Sequence, residues 1–267
     1  MYQTNYHRAS SVDDAVKLLK SSDDGKLLAG GMTLIAAMKT RLAAPSDLID
    51  LRHVDKLKGI TVSGKEVTIG AGTTHAEVAT HAELAKACHA ISHLAAHIGD
   101  THVRHMGTIG GSIANNDPAA DYPAALLALG ATIVTDQREI TADDFFSGMF
   151  ETALEEGEIV TSVRFTAPDQ CGYSKFPNPA SRYALTGVFV AKRGSDVRVA
   201  VTGAGDDGVF RASEIEQALG GNFDGAALDG VSVSPDDLMS DIHASAEYRA
   251  NLVVVMAKRA VAAAKAP

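Results

Sequence analysis

The first fifty residues alternate between helical and extended hydrophobic patterns. In SVDDAVKLLKS, at 11–21, apolar residues recur at helical spacing behind Ser11, a favourable helix cap. KLLAGG at 26–31 then predicts a buried strand, MTLIAAMKTRL at 32–42 a helix, and DLIDLR at 47–52 a second strand. The pattern therefore predicts a compact unit in which a strand, a loop, a helix and a strand follow one another.

The middle of the chain begins with period-two hydrophobicity and then becomes helical. Two short strands turn at 63–65, and a long helical stretch is predicted over 75–98. YPAALLALGATIVTD predicts a helix that ends at Gly130 and a strand over 131–135. A further strand and a turn are expected within 138–150.

A change in composition separates the last third of the chain. Residues 168–179 are rich in proline, glycine and polar side chains, which is typical of a boundary. Beyond them, ALTGVFVAKR at 184–193 and VRVAVTGAG at 197–205 alternate as strands joined through Gly194. The final segment, 245–266, has helical periodicity and is expected to pack on that sheet.

Together these patterns predict an α+β protein. We expect two N-terminal lobes, 1–54 and 55–167, followed by a smaller C-terminal α+β domain of antiparallel strands and helices, 170–267. A chain of 267 residues with 46% hydrophobic residues can fill a substantial core.

Charge narrows the possible functions. The 24 Lys and Arg residues are outnumbered by 33 Asp and Glu residues, for a net charge of -9. This balance disfavours binding to nucleic acid or to anionic membranes. The N-terminus lacks a signal-peptide pattern, and no stretch reaches the ~18 apolar residues of a membrane span. The cytoplasm is the expected compartment, with peripheral attachment to the inner membrane face through a complex as the alternative.

Cysteine and histidine spacing predicts no metal centre in this chain. Cys88 and Cys171 are too far apart in sequence for a CxxC site, so any iron–sulfur cluster must belong to another chain. His89, His93 and His97 would share one helix face, but no HExxH motif or cysteine ligand accompanies them. A solvated helix face is the favoured interpretation.

Two glycine pairs carry the strongest indication of function. AGGMT at 29–33 and GTIGGS at 107–112 both combine adjacent glycines with hydroxyl side chains. A glycine between a strand and a helix lets a ligand reach backbone N–H groups, where phosphate is favoured. The first loop matches neither GxGxxG nor GxxxxGK[ST], so a tight turn without a ligand is the alternative there. Two such loops together predict a pyrophosphate site.

Polar residues follow the second glycine loop and extend the predicted site. Asp121 comes shortly after Asn115, Asn116 and Asp117. A carboxylate accepts hydrogen bonds from sugar or polyol hydroxyls. A phosphate site beside a hydroxyl acceptor describes a dinucleotide-binding site.

At this point the sequence resembles the flavin-binding medium subunits of molybdenum hydroxylases, a family related to the flavin domain of xanthine dehydrogenase. The resemblance is carried by AGGMTLIAAMK, AAHIGDTHVRHMGTIGGSIANNDPAADYPAALLALGA, FFSGMFETALEEGEIVTSVRF, YSKFPNPASRYALTGV and DIHASAEYRA. It covers nearly the whole chain and is greatest to the medium subunits of aerobic carbon monoxide dehydrogenase-type enzymes. It implies FAD bound in a two-lobed N-terminal domain, and a C-terminal domain alongside.

The resemblance also implies roles for individual residues. Asp121 would contact ribityl or ribose hydroxyls, Val160 and Lys175 would lie near the flavin, and Tyr183 would cover one face of its ring. Lys175 would then stabilise the reduced flavin, with a solvated loop lysine as the alternative. The residues implied around the pyrophosphate are Ala29, Gly30, Gly31, Met32, Thr33, Thr108, Ile109, Gly110, Gly111 and Ser112.

Three hypotheses for function follow. In the first, the chain is the FAD-binding electron-transfer subunit of a molybdenum hydroxylase and passes electrons from an iron–sulfur small subunit to an external acceptor. A molybdopterin-binding large subunit would complete a heterotrimer, which would dimerise. The second is a stand-alone flavin oxidoreductase, although no flavin-linking residue or large substrate-binding insert is evident. The third is a non-catalytic nucleotide-binding scaffold. No catalytic residue is predicted, and the substrate and acceptor stay open.

Overall fold

The computed structural model describes residues 1–265. Its first lobe consists of β1 (Asn5–Arg8), α1 (Val12–Lys20), β2 (Gly25–Leu28), α2 (Leu34–Lys39) and β3 (Asp47–Asp50). The three strands are parallel and lie in the order β1–β3–β2. The predicted first helix is confirmed, and Ser11 caps it by accepting a hydrogen bond from the Asp14 backbone N–H. The sequence does not predict β1, because this edge strand is polar and mostly exposed.

Helix α2 is shorter than the helix predicted over 32–42. Arg41 adopts a left-handed φ of 64°, which prevents the helix from continuing. Leu42, expected on the apolar face, is 84% exposed as a result. Met38 remains as the buried residue of that face.

The second lobe is built on an antiparallel sheet. Its strands are β4 (Ile60–Ser63), β5 (Glu66–Gly70), β6 (Thr132–Thr135), β7 (Glu139–Thr141), β8 (Phe146–Gly148), β9 (Glu151–Thr152) and β10 (Val160–Thr166). The five-stranded sheet has the order β4–β5–β10–β6–β7, and β8 pairs with β9 separately. Gly64, with φ of 61°, makes the predicted hairpin turn between β4 and β5.

Helices cover this sheet and reach the glycine loops. They are α3 (His75–Thr80), α4 (Ala82–Ala87), α5 (His89–Ala96), α6 (Thr101–Met106), α7 (Ile109–Asn115), α8 (Tyr122–Leu129) and α9 (Ala142–Phe145). The long helix predicted over 75–98 is therefore wrong, because the chain bends twice within it. The His81 ring accepts a hydrogen bond from the Leu84 N–H and caps α4, and Cys88 adopts an extended φ of -153° before α5. The predicted helix end at Gly130 is confirmed.

The C-terminal part contains a four-stranded antiparallel sheet in the order β11–β12–β13–β14. Its elements are β11 (Gln170–Pro177), β12 (Ala184–Arg193), β13 (Asp196–Gly205), β14 (Gly208–Arg211), α10 (Ser213–Gly221) and α11 (Ala246–Lys265). The stretch interpreted as a boundary, 168–179, is mostly strand β11. Its Gly172 lies directly against the Ala260 carbonyl of α11, so this glycine serves close packing rather than a turn. Residues 266–267, at the end of the predicted helix and domain, lie outside the described part.

One hydrophobic core joins the second lobe to the C-terminal sheet. It runs from Ile69 and Leu94 through α8, which is buried along its whole length, to Phe189 on β12. The other face of that sheet packs on α10 and α11, as predicted for the final helix. The first lobe has only small separate cores. Among the helices of residues 1–265, none has the length and apolar content that a membrane crossing requires.

Candidate functional site

A cavity of about 940 Å³ opens where the first lobe meets the second. Two segments form walls of this cavity: the loop after β2, residues 29–33, and residues 107–112, which lead into the first turn of α7 and are called the second glycine loop. The turn at 180–183 forms part of its rim, and apolar side chains such as Leu57 and Ile159 line its interior. The two glycine loops predicted to act together therefore do face one space.

The first glycine loop offers unused hydrogen-bond donors to this cavity. The backbone N–H groups of Gly30, Gly31, Met32 and Thr33 make no hydrogen bond to any other group within residues 1–265. Gly31 has a φ of 72°, a conformation that glycine adopts without strain. Consecutive N–H groups around a left-handed residue form a concave site for an anion. This loop therefore offers more free backbone donors to an anion than the second glycine loop does.

The second glycine loop is held in place by its own N–H groups. Those of Ile109 and Gly110 donate to the carbonyls of Thr73 and Ala71, at 3.1 and 2.8 Å. The Gly111 N–H donates to the Thr108 hydroxyl, which caps α7. Because the N–H groups of Ile109, Gly110 and Gly111 are already used, this segment has fewer free backbone donors than the first glycine loop.

The two loops touch each other at Gly30, and close backbone packing explains both this glycine and Gly110. A Cβ atom on Gly30 would collide with the backbone carbonyl of Met106. A Cβ atom on Gly110 would lie 2.5 Å from the Cβ atom of Ala71. Their missing side chains therefore allow backbone packing, whereas the sequence pattern indicated room for a ligand.

Asp121 lies on the cavity wall as the centre of a buried polar cluster. It accepts hydrogen bonds from the Tyr173 hydroxyl and from the Lys175 ammonium, whose Nζ lies 3.0 Å from Oδ1. Lys175 also donates to the His97 carbonyl at 2.9 Å. Burial raises the pKa of the Asp121 carboxyl, against the opposing effect of Lys175. The carboxylate can accept further hydrogen bonds from the cavity, but its position is fixed by these two partners.

The other predicted site residues differ in whether they line this cavity. Val160 and Tyr183 line the cavity, and Tyr183 is 45% exposed at the rim. Ile109 is fully buried and does not line it. The Lys175 side chain lies instead beside a neighbouring cavity of about 510 Å³ and is only 6% exposed, so it is not a solvated loop lysine. The remaining predicted residues line the large cavity, namely Ala29, Gly30, Gly31, Met32, Thr33, Thr108, Gly110, Gly111, Ser112 and Asp121.

The structure adds lining residues that the sequence pattern did not single out. His75 is buried, and its Nδ1 has no hydrogen-bond partner within residues 1–265. Burial and the charge of Arg104 lower its pKa to about 4, so the ring is neutral at pH 7. Arg52 is held by Asp50, with Nη2 and Oδ2 2.7 Å apart. Arg182 lies on the rim in a left-handed conformation, with φ of 63°.

The histidine face of α5 is separate from the large cavity. His89, His93 and His97 are exposed, and the rings of the last two lie 4.2 Å apart. Across residues 1–265, no group of three or more His, Cys, Asp and Glu side chains is arranged to hold a metal ion.

Comparison with known proteins gives matches over nearly the whole chain. Residues 2–168 match the family described as the FAD binding domain in molybdopterin dehydrogenase. Residues 173–264 match the CO dehydrogenase flavoprotein C-terminal domain. The carbon monoxide dehydrogenase medium chain of Afipia carboxidovorans is 37% identical, over 98% of this chain and 96% of that protein. The nicotine 6-hydroxylase medium subunit of Paenarthrobacter nicotinovorans is 35% identical, over 98% and 97%.

Solved structures agree with these sequence matches. The CO dehydrogenase from Oligotropha carboxidovorans superposes with a TM-score of 0.87 at 35% identity, covering 98% of each chain. The similarity therefore includes all four sheets as well as the glycine loops.

Proposed function

The chain belongs to the family of FAD-binding domains in molybdopterin dehydrogenases, and we propose that its FAD occupies the large cavity between the glycine loops. The free N–H groups of residues 30–33 are the observation that supports this most directly. The cavity is large enough for a dinucleotide, and its walls combine apolar side chains with polar and charged groups. The lobes 1–54 and 55–167 would hold the cofactor, with the domain 170–267 alongside.

Each part of the cavity suits one part of the dinucleotide. We assign the pyrophosphate to the first glycine loop, where unpaired N–H groups would bind its oxygens. On the wall, the Asp121 carboxylate would accept hydrogen bonds from sugar and ribityl hydroxyls, and the Ser112 hydroxyl would donate to or accept from them. Val160 would contact the flavin, and Tyr183 would cover one face of its ring.

The proposed role is electron transfer within a larger enzyme. Bound FAD supplies reversible electron transfer, and this chain's residues hold and shield it. The chain would receive electrons from an iron–sulfur small subunit and deliver them to an external acceptor. Two relatives carry the names medium chain and medium subunit, which supports a complex that also contains a molybdopterin-binding large subunit. We propose a heterotrimer that dimerises.

The pyrophosphate assignment can be tested at Met32. This side chain lines the cavity and is 41% exposed, so substitutions there spare the core. Met32→Glu would place a carboxylate beside the phosphates, whereas Met32→Gln has the same shape without the charge. We expect Met32→Glu to raise the FAD dissociation constant roughly tenfold relative to Met32→Gln, since ~1.4 kcal/mol of repulsion is reasonable at a partly exposed site.

The measurement is titration of the apoprotein with FAD by flavin fluorescence at two salt concentrations. The difference between the two variants should shrink at high salt, because counterions screen the added charge. Equal affinities of the two variants at low salt would show that the pyrophosphate does not lie beside the first glycine loop. FAD could then still bind elsewhere in the chain.

The electron-transfer role can be tested by measuring the cofactor, metal and partner-subunit content of the purified protein. The isolated chain should purify with FAD but without iron or molybdenum, and should hydroxylate no substrate. The same chain, tagged and isolated from its native host, should bring two partner subunits that contain those metals. Substrate hydroxylation by the metal-free single chain would support the stand-alone oxidoreductase instead.

A further inference from the structure

The two cysteines, far apart in sequence, meet in the folded chain. Cys88 precedes α5 and Cys171 is the second residue of β11, yet their Sγ atoms are 3.5 Å apart. Both residues are buried, with exposures of 1% and 3%. A disulfide needs the sulfurs at about 2.05 Å, so each would move by less than ~1 Å.

The surroundings of the pair distinguish the two thiols. Hydrogen bonds from the Cys88 thiol and from His89 lower the pKa of Cys171 to about 5. The same contact and burial raise the pKa of Cys88 well above its usual value. His89 is exposed at the protein surface. Two sulfurs 3.5 Å apart, one of them with a lowered pKa, match the pairing of a reactive and a resolving cysteine in redox-sensitive proteins.

We propose that Cys88 and Cys171 form a reversible disulfide when the protein meets a hydroperoxide. With hydrogen peroxide, the Cys171 thiolate attacks one oxygen, the O–O bond breaks, and the other oxygen leaves as hydroxide and is protonated to water. The resulting sulfenic acid is attacked by the Cys88 sulfur, which loses its proton as a second water leaves. Two thiols are oxidised to one disulfide, and one hydroperoxide is reduced.

The position of the bond gives it a structural effect. It would join α5 of the second lobe to β11 of the C-terminal sheet, across the core that these parts share. Strand β11 also carries Tyr173 and Lys175, which hold Asp121 on the cavity wall. Oxidation therefore fixes the strand that positions Asp121. The proposal does not depend on which cofactor the cavity holds.

The test treats the full chain, reduced and under native conditions, with a small excess of hydrogen peroxide. We expect the intact mass to fall by two hydrogens and a peptide containing both cysteines to appear after digestion. Dithiothreitol should restore the original mass. Because a disulfide restricts the unfolded chain, the oxidised protein should also unfold at a higher temperature.

Cysteine-to-serine variants supply the controls. The double variant Cys88→Ser/Cys171→Ser should lose no hydrogens and show no effect of dithiothreitol on unfolding. Labelling of wild-type thiols with iodoacetamide before and after oxidation needs no substitution, and both sites should become unreactive. The proposal is overturned if peroxide leaves both thiols free, or if the mass only increases by added oxygen atoms because the pair acts as a packing contact.

Discussion

At the scale of single residues, the cavity wall depends on a buried charge that one lysine compensates. Lys175→Met would leave the Asp121 carboxylate without its ammonium partner, although Tyr173 would still donate to it. We expect a loss of about 3 kcal/mol in the free energy of unfolding at pH 7, because breaking a buried ion pair leaves an uncompensated charge. Urea unfolding of the wild type and the variant measures this difference.

The pH dependence of that loss has a definite sign. Without Lys175, burial raises the pKa of Asp121 further, so the folded variant holds its proton more tightly than the unfolded chain. The deficit should therefore shrink as the pH falls toward the unfolded carboxyl pKa of about 4. Adding Asp121→Asn to Lys175→Met should recover much of the loss at pH 7. An equally unstable double variant would show that the ion pair is not the cause.

Tyr183 offers a second test at this scale. Tyr183→Ala should weaken FAD binding several-fold and reduce the quenching of flavin fluorescence, since an aromatic contact contributes ~0.5 to 1.5 kcal/mol. Tyr183→Phe keeps the ring and should behave like the wild type. If all three proteins quench flavin equally, Tyr183 does not cover the ring.

At this scale, the sequence predicts features that depend on neighbouring residues in the chain. The loop 29–33 follows a strand and precedes a helix, and its glycines indicate exposed backbone donors. That the N–H group of Gly110 is already bonded depends on Ala71 in the folded chain, which no local pattern reveals. His75 was missed for the same reason, because its burial comes from distant segments.

At the scale of elements, the contact between the glycine loops predicts that an added side chain at Gly30 lowers stability, whereas one at a glycine with open space around it does not. Gly30→Ala should destabilise the protein by about 1 to 3 kcal/mol, because its Cβ would collide with the Met106 backbone. Gly220→Ala is the control, because it lies within α10 with open space around its Cα. It should stabilise the protein by about 0.5 to 1 kcal/mol through helix propensity.

Thermal and urea unfolding of both variants measure these effects. If Gly30→Ala is as stable as the wild type, the loops are not in contact in solution. FAD binding should also weaken in Gly30→Ala, because the first loop can no longer take the same position. Binding should be unchanged in Gly220→Ala.

Elements with strong hydrophobic periods were predictable, and those defined by single contacts were not. The hairpin at 63–65 and the helix ending at Gly130 have local turn signals. The breaks at His81 and Cys88 have none, because alanine-rich helical sequence continues through both. Strand β11 was not predicted, because Gly172 is typical of a turn in sequence whereas in the structure it allows close packing against α11.

At the scale of the whole molecule, buried ion pairs predict how stability depends on pH. Hydrogen bonds from Arg138 lower the pKa of Glu158 to about 2, and its side chain is fully buried. Burial raises the pKa of Asp50, but hydrogen bonds from Arg52 and Tyr6 outweigh it and lower that pKa to about 2. Both groups stabilise the protein above the unfolded carboxyl pKa, and this stability is lost as the pH falls from about 4.5 to about 2.

Glu158→Gln should reduce stability at pH 7 and flatten its decline in that acidic range. Glu156→Gln is the matched control, because Glu156 is exposed two residues away. Unfolding free energies measured at intervals between pH 7 and pH 3 give the two slopes. A Glu158→Gln profile parallel to that of the wild type would show that this ion pair does not cause the acid sensitivity.

Because Gly30 sits against the Met106 carbonyl, neither glycine loop can change its backbone path alone. A mutation that lengthens or bulges one loop must therefore be matched by a change in the other. Chimeras made with related medium subunits should obey the same rule. Exchanging residues 29–33 and 106–112 together should preserve flavin binding, whereas exchanging either alone between proteins whose loops differ in shape should lose it.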